Sequence, residues 1–210
     1  MAGLFITFEG GEGAGKSTQA KRLAKRFRDE GLTVVLTREP GGSPQAERVR
    51  AALLTEAGRD LPGVEQAILF AAARADHVDT VIKPALADGH VVICDRFYDS
   101  TEAYQGAAGA SPAMMGLLQT IAVGALIPDL TLVLDLPPEK GLQRARARDT
   151  LDAFENDDLA VHRARRDAFL RIAEREPGRC VVIDASGDEH ALADTIWSKV
   201  MERLDMAGAS

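Results

Sequence analysis

Runs of apolar residues recur along the chain and are separated by segments with helical spacing. The runs cover residues 4–8, 33–37, 90–94, 130–136 and 180–184. Their apolar residues follow one another instead of alternating with polar ones, which is typical of strands covered on both faces. Because helical patterns separate the runs, the strands are expected to be parallel and joined by right-handed crossovers. The pattern predicts an α/β fold with a five-stranded parallel sheet flanked by helices.

Three helices can be placed from their apolar spacing. The first begins near residue 16, repeats its apolar residues at i, i+3, i+4 and i+7, and ends at Gly31, since glycine is common just after a helix. The second pattern covers residues 62–86. The third covers residues 188–204, where apolar residues recur every fourth position, as in a helix that packs on a sheet.

The segment between the first strand and the first helix is rich in glycine. It reads Gly10-Gly11-Glu12-Gly13-Ala14-Gly15-Lys16-Ser17-Thr18. Glycines at this spacing let backbone N–H groups turn inward around an oligophosphate, while Lys16 contacts the outer phosphates and the Ser17 hydroxyl binds Mg²⁺. The positive end of the following helix adds to the attraction. The segment predicts a phosphate-binding loop (P-loop) that binds a nucleotide.

Polar residues cluster where the predicted strands end. Glu9, Arg38, Asp95, Arg96 and Asp135 each lie at or just past the end of a strand. The carboxyl ends of parallel strands meet at one edge of a sheet, and ligands collect there. Asp95, facing the P-loop, is placed to hold Mg²⁺ or its water, and Arg96 is placed to contact a second anionic substrate.

Other segments offer groups to such a second substrate. Phe70 and Arg74 lie four residues apart, so a ring and a guanidinium share one helix face and can stack a base and hold a phosphate. Taken alone, the two are more simply a core ring and a solvated cation, and Arg38 before a Pro-Gly-Gly turn is more simply a surface residue. Further polar side chains follow the third strand on the next helix: Ser100, Thr101, Tyr104 and Gln105.

Composition narrows the class of protein. The chain has 210 residues, 46% of them apolar and 27% charged, which suits a single globular domain over residues 1–210. A net charge of −7 argues against a nucleic-acid or anionic-membrane binder. No apolar run approaches the roughly 18 residues of a membrane span, and no segment has the pattern of a signal peptide. Cys94 and Cys180 lie in predicted strands, as buried free thiols would in a cytoplasmic protein.

Taken together, these segments resemble the bacterial thymidylate kinase family, whose members transfer the γ-phosphoryl group of ATP to dTMP. The matching segments are Phe8 to Thr18, Thr37 to Gly42, Phe70 with Arg74, Val81 to Leu86, Asp95 to Phe97, Ser100 to Gly106, and Pro128 to Asp135. They follow the family's order along nearly the whole chain. The resemblance implies a P-loop kinase fold with a short mobile lid, direct in-line phosphoryl transfer, ATP and Mg²⁺ as cofactors, dTMP as the second substrate, and a homodimer.

The resemblance also implies which residues act on the phosphates. Lys16, Asp95 and Arg96 are expected to be catalytic, together with an arginine of the lid. Magnesium is expected to be held by Ser17 and by either Glu9 or Asp95.

For dTMP, the resemblance implies a complete binding site. Phe70 would stack on thymine, Arg74 and Gln105 would address its polar edge, and Arg38 and Arg96 would hold the phosphate. The remaining residues of this site are Glu12, which would approach the sugar 3′-hydroxyl, and Ser100, Thr101 and Tyr104, which would line the nucleoside pocket.

Residues 144–155 have the composition of the lid. Arg144 and Arg148 share a helix face, and an acid-rich segment follows, as in lids that bring guanidinium groups to transferring phosphates. Without the resemblance, a solvated charged helix explains these residues more simply. The chain departs from the family at Ala153, where bacterial relatives commonly carry arginine. Arg148 is therefore the expected catalytic arginine, ahead of Arg144 and Arg146.

Two alternative functions stay open. A kinase for another nucleoside monophosphate or a small-molecule hydroxyl would share the P-loop and differ at Phe70, Arg74 and Gln105. A GTP-dependent switch protein would typically read guanine with an Asn-Lys-x-Asp segment. The single asparagine of the chain, Asn156, does not lie in such a segment.

Overall fold

A computed structural model of the protein describes residues 3–146 and 157–208. Within these ranges the strands are β1 (Leu4–Glu9), β2 (Val34–Arg38), β3 (Val91–Asp95), β4 (Leu130–Asp135) and β5 (Cys180–Asp184). They form one sheet in the order β2-β3-β1-β4-β5, and every neighbouring pair is parallel. The predicted sheet is confirmed. Strands β2 and β3 each lie one residue later than expected, so Arg38 and Asp95 are the last residues of their strands.

Helices connect the strands and cover both faces of the sheet. They are α1 (Lys16–Asp29), α2 (Pro44–Leu53), α3 (Glu56–Arg59), α4 (Gly63–His77), α5 (Lys83–Ala87), α6 (Tyr98–Ala107), α7 (Pro112–Val123), α8 (Pro138–Arg146), α9 (Leu159–Arg175) and α10 (Glu189–Gly208). In the described part of the chain, no helix has both the length and the apolar character that crossing a bilayer requires.

The helix predicted over residues 62–86 is present, with one irregularity. Helices α4 and α5 are joined by a single π-helical turn at Val78–Ile82. This turn directly precedes α5, where Pro84 has no N–H to donate to the carbonyl of Thr80. The wider turn therefore lies where the regular α-helical bonding is interrupted.

The core consists of two hydrophobic layers, one on each face of the sheet. Alternate residues of β1 enter opposite layers: Ile6 and Phe8 pack with α1 and α10, whereas Phe5 packs with Ile82 and Phe97. All of these side chains are fully buried. Because both faces are covered, the strands carry continuous apolar sequences without polar alternation.

The P-loop approaches the start of α8 through two glycines. Gly13 has a φ of +68°, and a Cβ atom at this position would lie 2.0 Å from the carbonyl oxygen of Gly141. In turn, a Cβ atom on Gly141 would lie 2.2 Å from the carbonyl oxygen of Glu12. The absence of side chains at both positions therefore lets α8 support the loop directly.

We expect Gly141→Ala to lower the free energy of unfolding by about 1–3 kcal/mol, because the added methyl group would overlap backbone atoms. Urea denaturation measures this change. Gly106→Ala in α6 is the matched control, since a Cβ atom there meets no atom within 4 Å. The control should be neutral or up to about 1 kcal/mol more stable. Equal changes in the free energy of unfolding for the two substitutions would show that the close approach of α8 to the P-loop leaves room for a methyl group at Gly141.

Candidate active site

A cavity of about 480 Å³ opens beside the P-loop at the carboxyl edge of the sheet. All residues predicted for the second substrate line it: Glu12, Arg38, Phe70, Arg74, Arg96, Ser100, Thr101, Tyr104 and Gln105. The P-loop contributes Gly13, Gly15, Lys16, Ser17 and Thr18, and β3 contributes Asp95. The loop residues Gly10, Gly11 and Ala14 do not line the cavity. The structure thus brings the groups predicted for both substrates into one space.

The P-loop has the backbone shape that its glycines allow. Gly10, Gly13 and Gly15 have φ angles of +132°, +68° and +92°, and side chains are strained in this region. The Nζ atom of Lys16 donates to the carbonyl oxygen of Gly11 at 2.7 Å. Burial lowers the pKa of Lys16 to about 8. An incoming phosphate could replace the Gly11 carbonyl as the partner of Lys16. Its negative charge would raise the pKa of Lys16 and so favour the protonated form.

Oxygen ligands for a metal ion meet where the P-loop faces the end of β3. The Ser17 hydroxyl donates to the Asp95 carboxylate, and both groups are of the type that Mg²⁺ prefers. Glu9 is fully buried: one oxygen accepts from the N–H groups of Phe97 (2.8 Å) and Ser100 (3.2 Å), and the other accepts from the Ser100 hydroxyl (2.5 Å). Because both oxygens of Glu9 bond to the segment that follows β3, the arrangement favours Asp95 over Glu9 as a metal ligand.

Arg96 has an unusual backbone and a side chain with three hydrogen-bond partners. Its φ of +69° is the only positive value at a non-glycine residue in the described ranges. Such a conformation costs about 1–3 kcal/mol and is common at functional sites. The guanidinium donates to the Glu12 carboxylate (2.9 Å), the Ser100 hydroxyl (3.1 Å) and the Gly10 carbonyl (3.3 Å). It also lies 5.0 Å from the centre of the Tyr104 ring.

Glu12 is held in its ionised form by its neighbours. Burial opposes the charge, but Arg96 and Lys16, with a hydrogen bond from the Tyr104 hydroxyl, lower the pKa of Glu12 to about 2. The side chain is therefore a hydrogen-bond acceptor at neutral pH.

The predicted arginines Arg38 and Arg74 line the cavity in different environments. Arg74 is 4% exposed, and its Nε atom donates to Glu39 at 2.6 Å, so the simpler interpretation of a solvated cation is wrong. Arg38 is 51% exposed and pairs with Glu47 at 3.0 Å. Phe70 lines the cavity and is half-buried, so its exposure lies between that of a core ring and that of a surface ring.

Sequence reasoning missed several residues of the site. The cavity is also lined by Glu39, Pro40, Arg50, Leu54 and Phe97. The guanidinium of Arg165 in α9 lies 4.4 Å from the centre of the Tyr104 ring. A signal for Arg165 exists, because it lies on the buried stripe of α9 between His162 and Phe169. No pattern in the sequence marks Arg50, which donates to the Pro40 carbonyl at 2.8 Å.

Comparison with known proteins places this chain in a family. The family model described as thymidylate kinase matches residues 8–196. The chain is 53% identical to a thymidylate kinase of Bradyrhizobium sp. (strain ORS 278) over 212 residues, covering 99% of this chain and 94% of the relative. It is 53% identical to a thymidylate kinase of Rhodopseudomonas palustris (strain ATCC BAA-98 / CGA009) over 209 residues, covering 97% and 91%. The chain belongs to the thymidylate kinase family. A crystal structure of thymidylate kinase from Ehrlichia chaffeensis matches with a TM-score of 0.78 and 33% identity, covering 95% of this chain and 99% of that one.

Membership of the thymidylate kinase family confirms the resemblance and the P-loop kinase fold. The family model begins at Phe8, so the matched range contains all the residues predicted for catalysis, nucleotide binding and magnesium. The guanine-nucleotide switch gains no support from these comparisons.

The lid predicted for this member of the thymidylate kinase family lies mostly beyond the described ranges. Arg148 and Ala153 are outside them, and the catalytic role of Arg148 stays a prediction. Arg144, at the end of α8, donates to the carbonyls of Ala185 (2.9 Å) and Ser186 (3.4 Å) after β5. Arg146 is exposed.

The thymidylate kinase fold places Glu9 where its proton is linked to stability. Burial, assisted by repulsion from Asp99, raises the pKa of Glu9 from 4.5 to about 8. Between these pH values the folded state binds more protons than the unfolded state, so stability falls as pH rises. We expect the free energy of unfolding to decline less between about pH 5 and pH 8 in Glu9→Gln, which cannot ionise, than in the wild type.

Urea denaturation at several pH values tests this expectation, with Glu65→Gln on the exposed face of α4 as the control for loss of one charge. Parallel stability curves for wild type and Glu9→Gln would refute it.

Proposed function

We propose that this protein transfers the γ-phosphoryl group of ATP to dTMP, giving dTDP and ADP in the synthesis of dTTP. The observation that carries the proposal is one cavity that joins a P-loop to a ring, three arginines and an amide suited to a pyrimidine monophosphate. The thymidylate kinase relatives support the same reaction.

The donor nucleotide is assigned to the P-loop, residues 10–18. Lys16 would exchange the Gly11 carbonyl for the outer phosphates of ATP. Ser17 and Asp95 would hold Mg²⁺, which when bound neutralises charge on the phosphate oxygens.

The acceptor phosphate is assigned to Arg38 and Arg96, which both line the cavity. A guanidinium presents paired donors that match phosphate oxygens. The ionised Glu12 suits the sugar 3′-hydroxyl as a hydrogen-bond acceptor. The nucleoside pocket would be completed by Ser100, Thr101 and Tyr104.

The base is assigned to Phe70, Arg74 and Gln105. The Phe70 ring offers a stacking surface. Within the described residues, Arg74 has its Nη1 donor left for a ligand, and Gln105 has its Oε1 acceptor left. Thymine presents O4 as an acceptor and N3–H as a donor, whereas cytosine presents an amino group and a bare N3 at the same positions. The Arg74 donor and the Gln105 acceptor therefore match the polar edge of thymine and not that of cytosine.

Catalysis in this proposal is positional and electrostatic. The acceptor phosphate is already largely ionised near neutral pH, so no strong general base is required. Lys16, Arg96 and the lid arginine Arg148 would stabilise charge as the phosphoryl group passes in line between the two anions. No covalent enzyme intermediate forms.

The proposal predicts that Mg·ATP-dependent ADP release depends on dTMP. Purified protein should be assayed with dTMP, dUMP, dCMP, UMP, AMP and no acceptor in parallel. We expect dTMP to give the highest kcat/KM and dCMP to be rejected because its polar edge is reversed. Preference for another acceptor would overturn the substrate assignment, and equal hydrolysis without any acceptor would overturn the kinase assignment.

Lys16→Ala should lower kcat by at least roughly a hundredfold, because it removes one preorganised donor to the transferring group. Lys25→Ala is the matched control on the same helix: Lys25 is 75% exposed and pairs only with the exposed Asp29 in the described residues. The control should keep wild-type turnover. Near-normal turnover of Lys16→Ala would refute its assigned role.

We further propose a cytoplasmic homodimer. Cys94 and Cys180 are buried free thiols, which suit a reducing compartment.

Large apolar side chains are exposed on the neighbouring helices α4 and α7: Ile68 (46%), Leu117 (56%) and Ile121 (68%). Leu117 and Ile121 lie four residues apart on one face of α7. Exposed apolar side chains grouped in this way favour a surface that another subunit covers.

Ile121→Glu should shift the protein from dimer to monomer in size-exclusion chromatography with light scattering, because a carboxylate would be buried at the subunit contact. Val161→Glu, at an exposed position of α9, should leave the mass unchanged. A monomeric wild type, or a dimer that tolerates Ile121→Glu, would contradict the assigned surface.

A further inference from the structure

We infer that Glu39, His77 and Gln66, which lie behind Arg74 and Gln105, set the hydrogen-bonding polarity of the base pocket and act as positioning residues. All three are buried. The inference rests on the proposed function, because it concerns how the base of the acceptor is selected.

Arg74 is fixed by bonds to three residues from two segments, the loop after β2 and the region around the start of α6. Its Nε atom donates to Glu39 at 2.6 Å, and its Nη2 atom donates to the Phe97 carbonyl at 3.2 Å and the Thr101 hydroxyl at 2.9 Å. Among the described residues nothing bonds to Nη1. Arg74 therefore offers the pocket only the N–H groups of Nη1, in set directions.

Glu39 is in turn held by His77. The Nδ1 atom of His77 lies 3.0 Å from the second carboxylate oxygen of Glu39, and its Nε2 atom lies 2.7 Å from the Thr37 hydroxyl oxygen. A carboxylate only accepts, so Nδ1 carries the proton, and in a neutral imidazole Nε2 accepts from the Thr37 hydroxyl. The N–H of Glu39 donates to the Asp95 carbonyl at 2.9 Å. This chain of bonds connects Arg74 to the sheet.

Gln105 is oriented by Gln66. The Nε2 atom of Gln66 lies 2.8 Å from the Arg59 carbonyl and 3.1 Å from the Leu61 carbonyl. Carbonyl oxygens only accept, so the amide orientation of Gln66 is fixed and its oxygen must accept from a neighbour. That neighbour is Nε2 of Gln105 at 3.1 Å. The oxygen of Gln105 is thereby left as the acceptor in the pocket.

A bound metal ion explains part of this network less well than hydrogen bonding does. Glu39, His77 and Cys94 bring three potential ligand atoms within 4.8 Å of one another. However, Arg74 already neutralises Glu39, and the Cys94 thiol donates to the Arg96 carbonyl at 3.0 Å. Burial, with repulsion from Glu39, raises the pKa of Cys94 well above its usual value, whereas a metal ligand must be a thiolate. The geometry therefore favours hydrogen bonding.

Substitution of Gln66 tests the orientation of Gln105. Gln66→Leu approximately keeps the size of the side chain and removes the acceptor for Gln105, so the Gln105 amide can rotate by about 180° and exchange its oxygen and nitrogen. We expect the preference for dTMP over dCMP to fall by about tenfold or more, with kcat for dTMP within about threefold of wild type. Calorimetric binding of dTMP and dCMP, and kcat/KM for each, measure the two effects.

Two substitutions of His77 test the support of Arg74 as a matched pair. Asparagine places its amide nitrogen near the position of Nδ1 and keeps the bond to Glu39, whereas glutamine reaches the position of Nε2 and keeps only the bond to Thr37. His77→Gln should therefore raise KM and Kd for dTMP by about tenfold, and His77→Asn by about threefold or less, with kcat little changed in both. Thermal unfolding of each variant controls for general loss of structure.

The inference is overturned if Gln66→Leu keeps the wild-type preference, or if the two His77 variants bind dTMP equally. Binding distinguishes this failure from failure of the proposed function. A wild type that binds dTMP selectively without phosphorylating it would refute the function and leave the positioning residues testable by calorimetry. A wild type that binds dTMP and dCMP equally would refute the inference itself.

Discussion

The parallel register of β1, β2 and β3 is the constraint on which the site depends. Phe8 and Arg38 both pair with Asp95 at the last rung of their strand pairs. Consequently the P-loop, the turn after Arg38 and the strained Arg96 all begin at the same edge, from three strands far apart in sequence. A slip of one residue in either pair would send these side chains to opposite faces. Backbone bonds just past the strand ends hold the register: the Arg96 N–H donates to the Phe8 carbonyl and the Glu39 N–H donates to the Asp95 carbonyl, each at 2.9 Å.

Charges that converge at this edge are balanced within the protein. Arg96 is paired with Glu12 and Arg74 with Glu39, both with little exposure. Removing one member of a buried pair typically costs about 3–5 kcal/mol, because the other charge stays buried without compensation. The acidic side chains are therefore part of the site even where they would repel a phosphate. Their presence agrees with a chain of net charge −7 that binds anions through local fields.

The sequence predicts the parts of this structure that local patterns determine. The five strands follow from apolar runs, and the P-loop follows from glycine spacing, because each requirement is met within about ten neighbouring residues. The network behind Arg74 could not be predicted in this way. Glu39 lies 35 residues from Arg74 and 38 from His77, and no periodicity connects them. Arg74 was open to two interpretations for the same reason, since its burial depends on a distant carboxylate.

Two of the arginine pairs at the proposed acceptor site, Arg38 with Glu47 and Arg74 with Glu39, differ in a way that suits their proposed tasks. Arg38 and Glu47 are both substantially exposed, and pairs of this kind contribute about 0–1 kcal/mol. Arg38 can therefore leave Glu47 for a phosphate at little cost. Arg74 cannot leave Glu39 so easily, because both are 4% exposed and bonded on several sides. In the proposed assignment the Arg38 side of the phosphate site could therefore adjust to a charged group that must be admitted and released. In the proposed assignment the base end would be rigid, so a base with reversed polarity would meet groups that cannot turn to accept it.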